Sequence, residues 1–211
     1  MFVFTIQLNA FSQKKIKRGL ATYEVIEVIS DQTESEMLLG SQIDICFDNK
    51  RHKMDMSLMG GMIRIQSIRN EERQENMVLT DIAGRQIKVV NEIKPKTLDT
   101  YIIEYDKKDE KEIAGYNCYK AVMKGESDEL IELYVTSKID PKSSFFDELF
   151  PGLKGFPLEY TINSENLRIT YLAKAILDKP DFDKLFTISD TYEEMTKEDF
   201  EKEMGVMNFG F

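Results

Sequence analysis

Between Leu20 and Leu177 short runs rich in Val, Ile, Tyr and Thr alternate with polar breaks of Gly, Asn and Asp, about every ten residues. Each run has the length and composition of a β-strand. The runs are Leu20–Ile29, Met37–Phe47, His52–Leu58, Met62–Ile68, Asn76–Thr80, Gln86–Asn91, Thr100–Tyr105, Tyr116–Met123, Leu130–Thr136, Phe156–Ile162 and Leu167–Leu177. Between them stand Asp48-Asn49-Lys50, Gly60-Gly61, Ala83-Gly84, Gly125-Glu126-Ser127-Asp128 and Asn163-Ser164-Glu165-Asn166, residues that tolerate tight or left-handed backbone. Such short connections join antiparallel neighbours, because a parallel crossover takes about a dozen residues. The pattern predicts a meander of about eleven antiparallel strands.

Two segments carry helical spacing instead. In Ser144–Phe150 the side chains Phe145, Phe146, Leu149 and Phe150 form one broad apolar face, and Pro151-Gly152 stops the segment. Lys197–Met204 follows Thr196, an N-cap residue with Asp199 three positions later. Met195 and Phe200 stand where a hydrophobic staple would put them, and Gly205 is the natural terminator. Eleven strands and two apolar-faced helices give a mainly β (α+β) protein whose curved sheet needs its concave side covered, and the phenylalanine-bearing helix is the natural cover.

No internal repeat, low-complexity tract or Pro/Ser-rich linker divides the chain, so residues 13–211 are expected to form one domain. The opening MFVFTIQLNAFSQ is uncharged and apolar, and it gives way abruptly to Lys14, Lys15, Lys17 and Arg18. Ala10 and Ser12 are small residues at the −3 and −1 positions of a signal-peptidase site. Residues 1–12 are therefore expected to be a signal peptide, shorter than usual and without a basic start, and the protein to be exported to the periplasm. A buried first strand is the competing reading. No other apolar stretch approaches the ~20 residues that a membrane-crossing helix needs, so the chain is not expected to span a membrane.

Charge narrows the partners. Thirty-eight acidic against 28 basic residues leave a net charge of −10. Nucleic-acid binders concentrate Lys and Arg to displace phosphate counterions, so no nucleic-acid partner is expected. A chain of 211 residues buries about 70% of the surface exposed by its unfolded form, and needs neither metal nor disulfide to hold a core. Cys46 and Cys118 fit either a single disulfide or two packed thiols; alternation with Ile45 and Phe47 points Cys46 to the aspartate-bearing face of its strand, where exposure would allow a bridge.

Catalytic machinery is not visible. The single histidine, His52, lies between Arg51 and Lys53, reads as an exposed strand-edge residue, and offers no triad or imidazole cluster. There is no G-x-S-x-G elbow, phosphate-cradling glycine loop or Cys-x-x-Cys. Carboxylate pairs such as Glu71-Glu72 and Glu193-Glu194 sit in charge-mixed surroundings and read as solvated surface. No cofactor and no enzymatic activity are expected. The unusual cluster is Met54, Met56, Met59 and Met62: four soft thioethers suited to Cu(I), or a flexible apolar lining for a core or groove.

Gly115-Tyr116-Asn117-Cys118-Tyr119-Lys120-Ala121, Gly155-Phe156-Pro157-Leu158-Glu159-Tyr160 and the methionine-rich hairpin occur in an order that resembles the exported GLPGLI-type and related families of gram-negative bacteria. Residues 151–156, Pro-Gly-Leu-Lys-Gly-Phe, partly match the namesake string. The resemblance covers most of residues 20–205. It implies the fold of the periplasmic lipoprotein carriers LolA and LolB, a curved antiparallel half-barrel capped by helices. On that reading Met54, Met56, Met59, Met62, Phe145, Phe146, Leu149 and Phe150 line an apolar cleft. The partner is then an apolar small molecule, a lipid or a lipoprotein. An envelope structural or protein-interaction module is the alternative, and a methionine-rich copper-binding protein the third.

Overall fold

All of the expected runs become strands of one sheet. The structure is a computed structural model, and it describes residues 15–31, 33–93, 100–125, 130–142, 145–164 and 167–204. The expected leader and Gly205 lie outside the described residues. The strands are β1 (Gly19–Ser30), β2 (Gln42–Phe47), β3 (Arg51–Leu58), β4 (Ile63–Asn70), β5 (Glu75–Ile82), β6 (Arg85–Glu92), β7 (Ile102–Ile113), β8 (Tyr116–Lys124), β9 (Leu130–Thr136), β10 (Phe156–Ser164), β11 (Leu167–Leu177) and a three-residue β12 (Glu193–Met195). Their order is β12-β6-β5-β4-β3-β2-β1-β11-β10-β9-β8-β7 in a single 12-stranded sheet. Two antiparallel meanders, β1–β6 and β7–β11, meet where β1 pairs with β11 from Leu20↔Leu177 to Ser30↔Leu167. β12 joins β6 in parallel, Glu193 opposite Ile87.

Three local readings change. The run from Met37 is broken: Thr33–Leu38 forms a 3-10 turn, Gly40 takes a left-handed φ of 78°, and β2 starts only at Gln42. β7 continues past Tyr105 to Ile113 with a bulge between Asp106 and Glu110; its charged half suits an outer strand, where charge deters pairing with other chains. Helix α1 is the single turn Phe146–Leu149. A further helix α2 (Phe182–Phe186) is capped by Asp181, which accepts from the Lys184 amide at 3.2 Å. Helix α3 (Lys197–Met204) follows the expected cap, Thr196 Oγ1 accepting from the Asp199 amide at 3.1 Å.

The sheet is bent. Nine residues lie between Glu92 and Ile102, enough to reach at most about 36 Å. β6 and β7 are ten strand spacings apart, about 48 Å in a flat sheet. The α1 segment makes the same point: Glu148 pairs with Arg69 of β4, while Gly152, four residues on, lies against Ile103 of β7. A flat sheet would hold those two strands about 38 Å apart.

On the concave face Tyr23, Ile45, Phe47, Met54, Leu133 and Tyr160 belong to one buried core, and Phe146 and Phe150 are seated in it. Phe146 meets Phe156 at 5.1 Å, Tyr160 at 5.2 Å and Tyr23 at 5.8 Å between ring centroids, all edge to face. The buried Tyr23 hydroxyl donates to the Pro157 carbonyl at 2.6 Å.

The turn after α1 is held by Gly155, whose φ of 105° excludes most side chains and whose added Cβ would stand 3.2 Å from Val135 and 3.3 Å from the Thr136 carbonyl. Gly155→Ala should cost about 2–3 kcal/mol. Gly40→Ala, with φ 78° and open space around it, should cost only about 1 kcal/mol, the backbone strain alone. Urea denaturation of the two variants checks this; equal losses would show that the close approach to Val135 contributes nothing.

Candidate functional site

The residues expected to line an apolar cleft divide into two groups. Met54 is buried opposite Ile45, and Met56, partly buried, lies on the same face opposite Ile43 and Ile65. Phe146 and Phe150 are buried in that core, with Phe145, Leu149 and Met56 packed against it. These six come together on the concave face. Met59 and Met62 do not: Gly60-Gly61 turns the chain after β3 and leaves them 38% and 61% exposed. They sit at the end of the sheet where β1 finishes and β2 begins, the end that also carries exposed Ile29, Met37 and Leu39.

His52 is not an exposed edge residue. It is 5% exposed on the concave face, between Phe47 and Arg69 in the sheet. Burial, with the positive charge of Arg69 acting in the same sense and Glu71 opposing, pulls its pKa down to about 4. Cys46 does lie on the aspartate-bearing face, but it is 2% exposed rather than open to solvent. Cys118 is buried in the core of the opposite face. Both are free thiols, so no disulfide joins them, and burial above all pushes each pKa up to about 12. Glu71, Glu72 and Glu194, read as solvated, hold ion pairs with Arg69, Lys50 and Lys88.

The convex face carries a second feature, unexpected from the sequence. After β11 the chain crosses this face through α2 and returns as β12. Arg18 stacks on Phe182 with its guanidinium carbon 4.2 Å from the ring centroid, and Arg51 on Phe186 at 4.1 Å. Lys53 Nζ donates to the Leu185 carbonyl at 3.0 Å. Beneath this strap lies a cleft of about 560 Å³. Its floor is a polar network centred on Asp55, which accepts two bonds from Arg64 (2.8 and 2.7 Å) and one from Gln66 (2.8 Å), with Lys53 at 3.4 Å. Beside it Asp44 accepts from the Thr22 hydroxyl at 2.7 Å.

The signal for this floor was present in the alternation: Asp44, Lys53, Asp55 and Gln66 are the out-of-phase partners of Ile45, Met54 and Ile65. A polar phase ordinarily means solvent, and only the distant strap turns it into a lined cleft. Among the described residues no three His, Cys, Asp or Glu side chains converge as metal ligands would.

The depressed pKa of His52 has a definite consequence. The folded value, about 4, lies below the ordinary 6.5. Its contribution to stability is therefore complete above pH 6.5 and is lost as pH falls through 4, on the order of 3 kcal/mol in all. The difference in unfolding free energy between wild type and His52→Gln, followed from pH 7 to pH 4, should fall by that amount. Parallel curves would show that His52 charges as easily in the fold as in the unfolded chain.

No protein-family model and no curated protein matches the chain, so the reading of its function rests on these two faces.

Proposed function

We propose that the protein is an exported, non-catalytic carrier whose bent sheet acts as a half-barrel of the LolA/LolB kind, holding a lipid, a lipid-modified protein or another apolar molecule on its concave face. The observation that carries this reading is the set of exposed apolar side chains at one end of the sheet, Met59, Met62, Ile29, Met37 and Leu39, the end to which β3 runs from buried Met54 and half-buried Met56. Exposed apolar clusters of this kind mark interaction sites on soluble proteins.

The cover is slight. Helix α1 is one turn long, and the contacts of its flanking segment with the sheet include the Arg69–Glu148 pair, a ring cluster and the bond from the Lys154 amide to the Tyr105 hydroxyl. An entering alkyl chain would exchange with Phe146 and Phe150, apolar surface for apolar surface, and gain about 0.8 kcal/mol for each further methylene buried. Methionine suits this task because its unbranched thioether adapts to irregular partners.

Particular observations weigh against the other two readings. At one edge of the sheet Lys107, Lys108 and Asp109 of β7 stand at a bulge that would obstruct an added strand, and at the other edge β12 covers Ile87–Val89 of β6. A copper site would need its thioethers together, whereas Met54 is buried and Met62 is mostly exposed.

Delipidated protein should take up a fluorescent fatty acid saturably and gain several degrees in Tm on loading. Met59→Asp with Met62→Asp should weaken uptake at least tenfold while leaving the Tm of the unloaded protein within about 2 °C. Absence of both uptake and Tm shift would remove the carrier reading. A stoichiometric protein partner recovered from envelope extract without lipid would favour an interaction module.

A further inference from the structure

We propose that the cleft between the convex face and the C-terminal strap is a second binding site, for a small uncharged molecule rich in hydroxyl groups, of mono- or disaccharide size. The inference is independent of the carrier reading, which concerns the opposite face of the sheet.

Charge comes first. Asp44, Asp55 and Asp181 line the cleft together with Lys53, Arg64 and Lys184. Acid and base are equal in number there, in a chain whose net charge is −10. An anion or a cation of single sign gains nothing from such a wall, and a neutral ligand loses nothing.

The unused hydrogen-bonding capacity is of both kinds. Gln66 is 6% exposed, and its Nε2 is committed to Asp55. Its Oε1 has no partner among the described residues, and it is not sealed away, because no fully buried side-chain oxygen or nitrogen lacks a partner. It therefore opens on the cleft that Gln66 lines. Asp44 uses one carboxylate oxygen on Thr22 and has the other left to accept. Lys53 donates one of its three N–H groups to the Leu185 carbonyl and stands 3.4 Å from Asp55. The Tyr192 hydroxyl, at the cleft wall, both donates and accepts. Donors and acceptors side by side match hydroxyl groups, each of which also donates and accepts.

Apolar side chains complete the wall beside Gln86, Thr187 and Ser189: Leu20, Leu79 and Leu177 from the sheet, Leu185 and Ile188 from the strap, and such a surface packs against the C–H faces of a sugar ring. A volume of about 560 Å³ is within the usual range for small-molecule sites. The network around Asp55 fixes Lys53 and Gln66 in place before any ligand arrives, so little ordering remains to oppose binding.

The test is calorimetric titration of the full chain with maltose, glucose and glucose 6-phosphate, paired with ligand-observed NMR. Saturable binding of maltose or glucose is expected, weakened at least tenfold by Tyr192→Phe combined with Asp44→Asn, with fatty-acid uptake unaltered. No saturable binding of either sugar up to about 50 mM would overturn the proposal. So would binding that the double variant leaves unchanged, which would place the sugar elsewhere. Tighter binding of glucose 6-phosphate than of glucose would overturn the requirement for an uncharged ligand.

Discussion

A connection of nine residues between β6 and β7 governs the shape of this molecule. The two strands lie near opposite edges of a 12-stranded sheet, and a chain of that length cannot cross the width of a flat one. Once the sheet bends, its two faces cease to be equivalent. Side chains on the inside converge, which favours large rings, and Phe146 is enclosed by Tyr23, Phe156 and Tyr160 within 6 Å. Side chains on the outside diverge, so the spaces between Asp44, Asp55 and Gln66 stay open unless another part of the chain covers them. The strap from α2 to β12 supplies that cover.

The strap and the polar floor depend on each other. Lys53 is almost fully enclosed, its side chain 8% exposed. A buried ammonium without partners is costly by several kcal/mol. Asp55 shares its two oxygens with Arg64 and Gln66, so the ion pair with Lys53 is long, 3.4 Å, and the shorter contact is to the Leu185 carbonyl. Docking the strap thus removes Lys53 from water and in the same movement provides a replacement for the water. The stacked arginines, Arg18 just before β1 and Arg51 at the start of β3, fix the strap at two separate points.

The strands were legible because each is short, β-branched and bounded by turn residues, and those properties are local. The charged half of β7 was not, because Asp106 to Glu112 has the composition of a loop and becomes a strand through pairing with β8. Helix α2 is five residues long, too short for helical periodicity to register. Alternation assigned Cys46 to the correct face and still misjudged its exposure: it is 2% exposed, between Leu20 and Lys53 on the neighbouring strands. The apolar half of the candidate lining was legible as far as Met56; beyond it Gly60-Gly61 reverses the chain and separates Met59 and Met62 from their neighbours. The cleft floor requires registers across β2, β3 and β4 that no single run contains.

Lys53, Met54 and Asp55 are consecutive, and they serve different faces: Met54 enters the aromatic core while its neighbours build the polar floor. A slip of one residue in the pairing of β3 would exchange these roles. Two charged side chains would then face Ile45 and the core, away from Arg64 and Gln66, and a thioether would stand in the network. Burying an unpaired charge costs far more than a misplaced methionine, so the penalty falls almost entirely on the wrong register. A sheet of many similar strands has many near-equivalent pairings open to it, and a polar network on one face excludes them without adding to the core. The ion pairs of the convex face therefore specify the alignment that the hydrophobic side chains of the concave face stabilise.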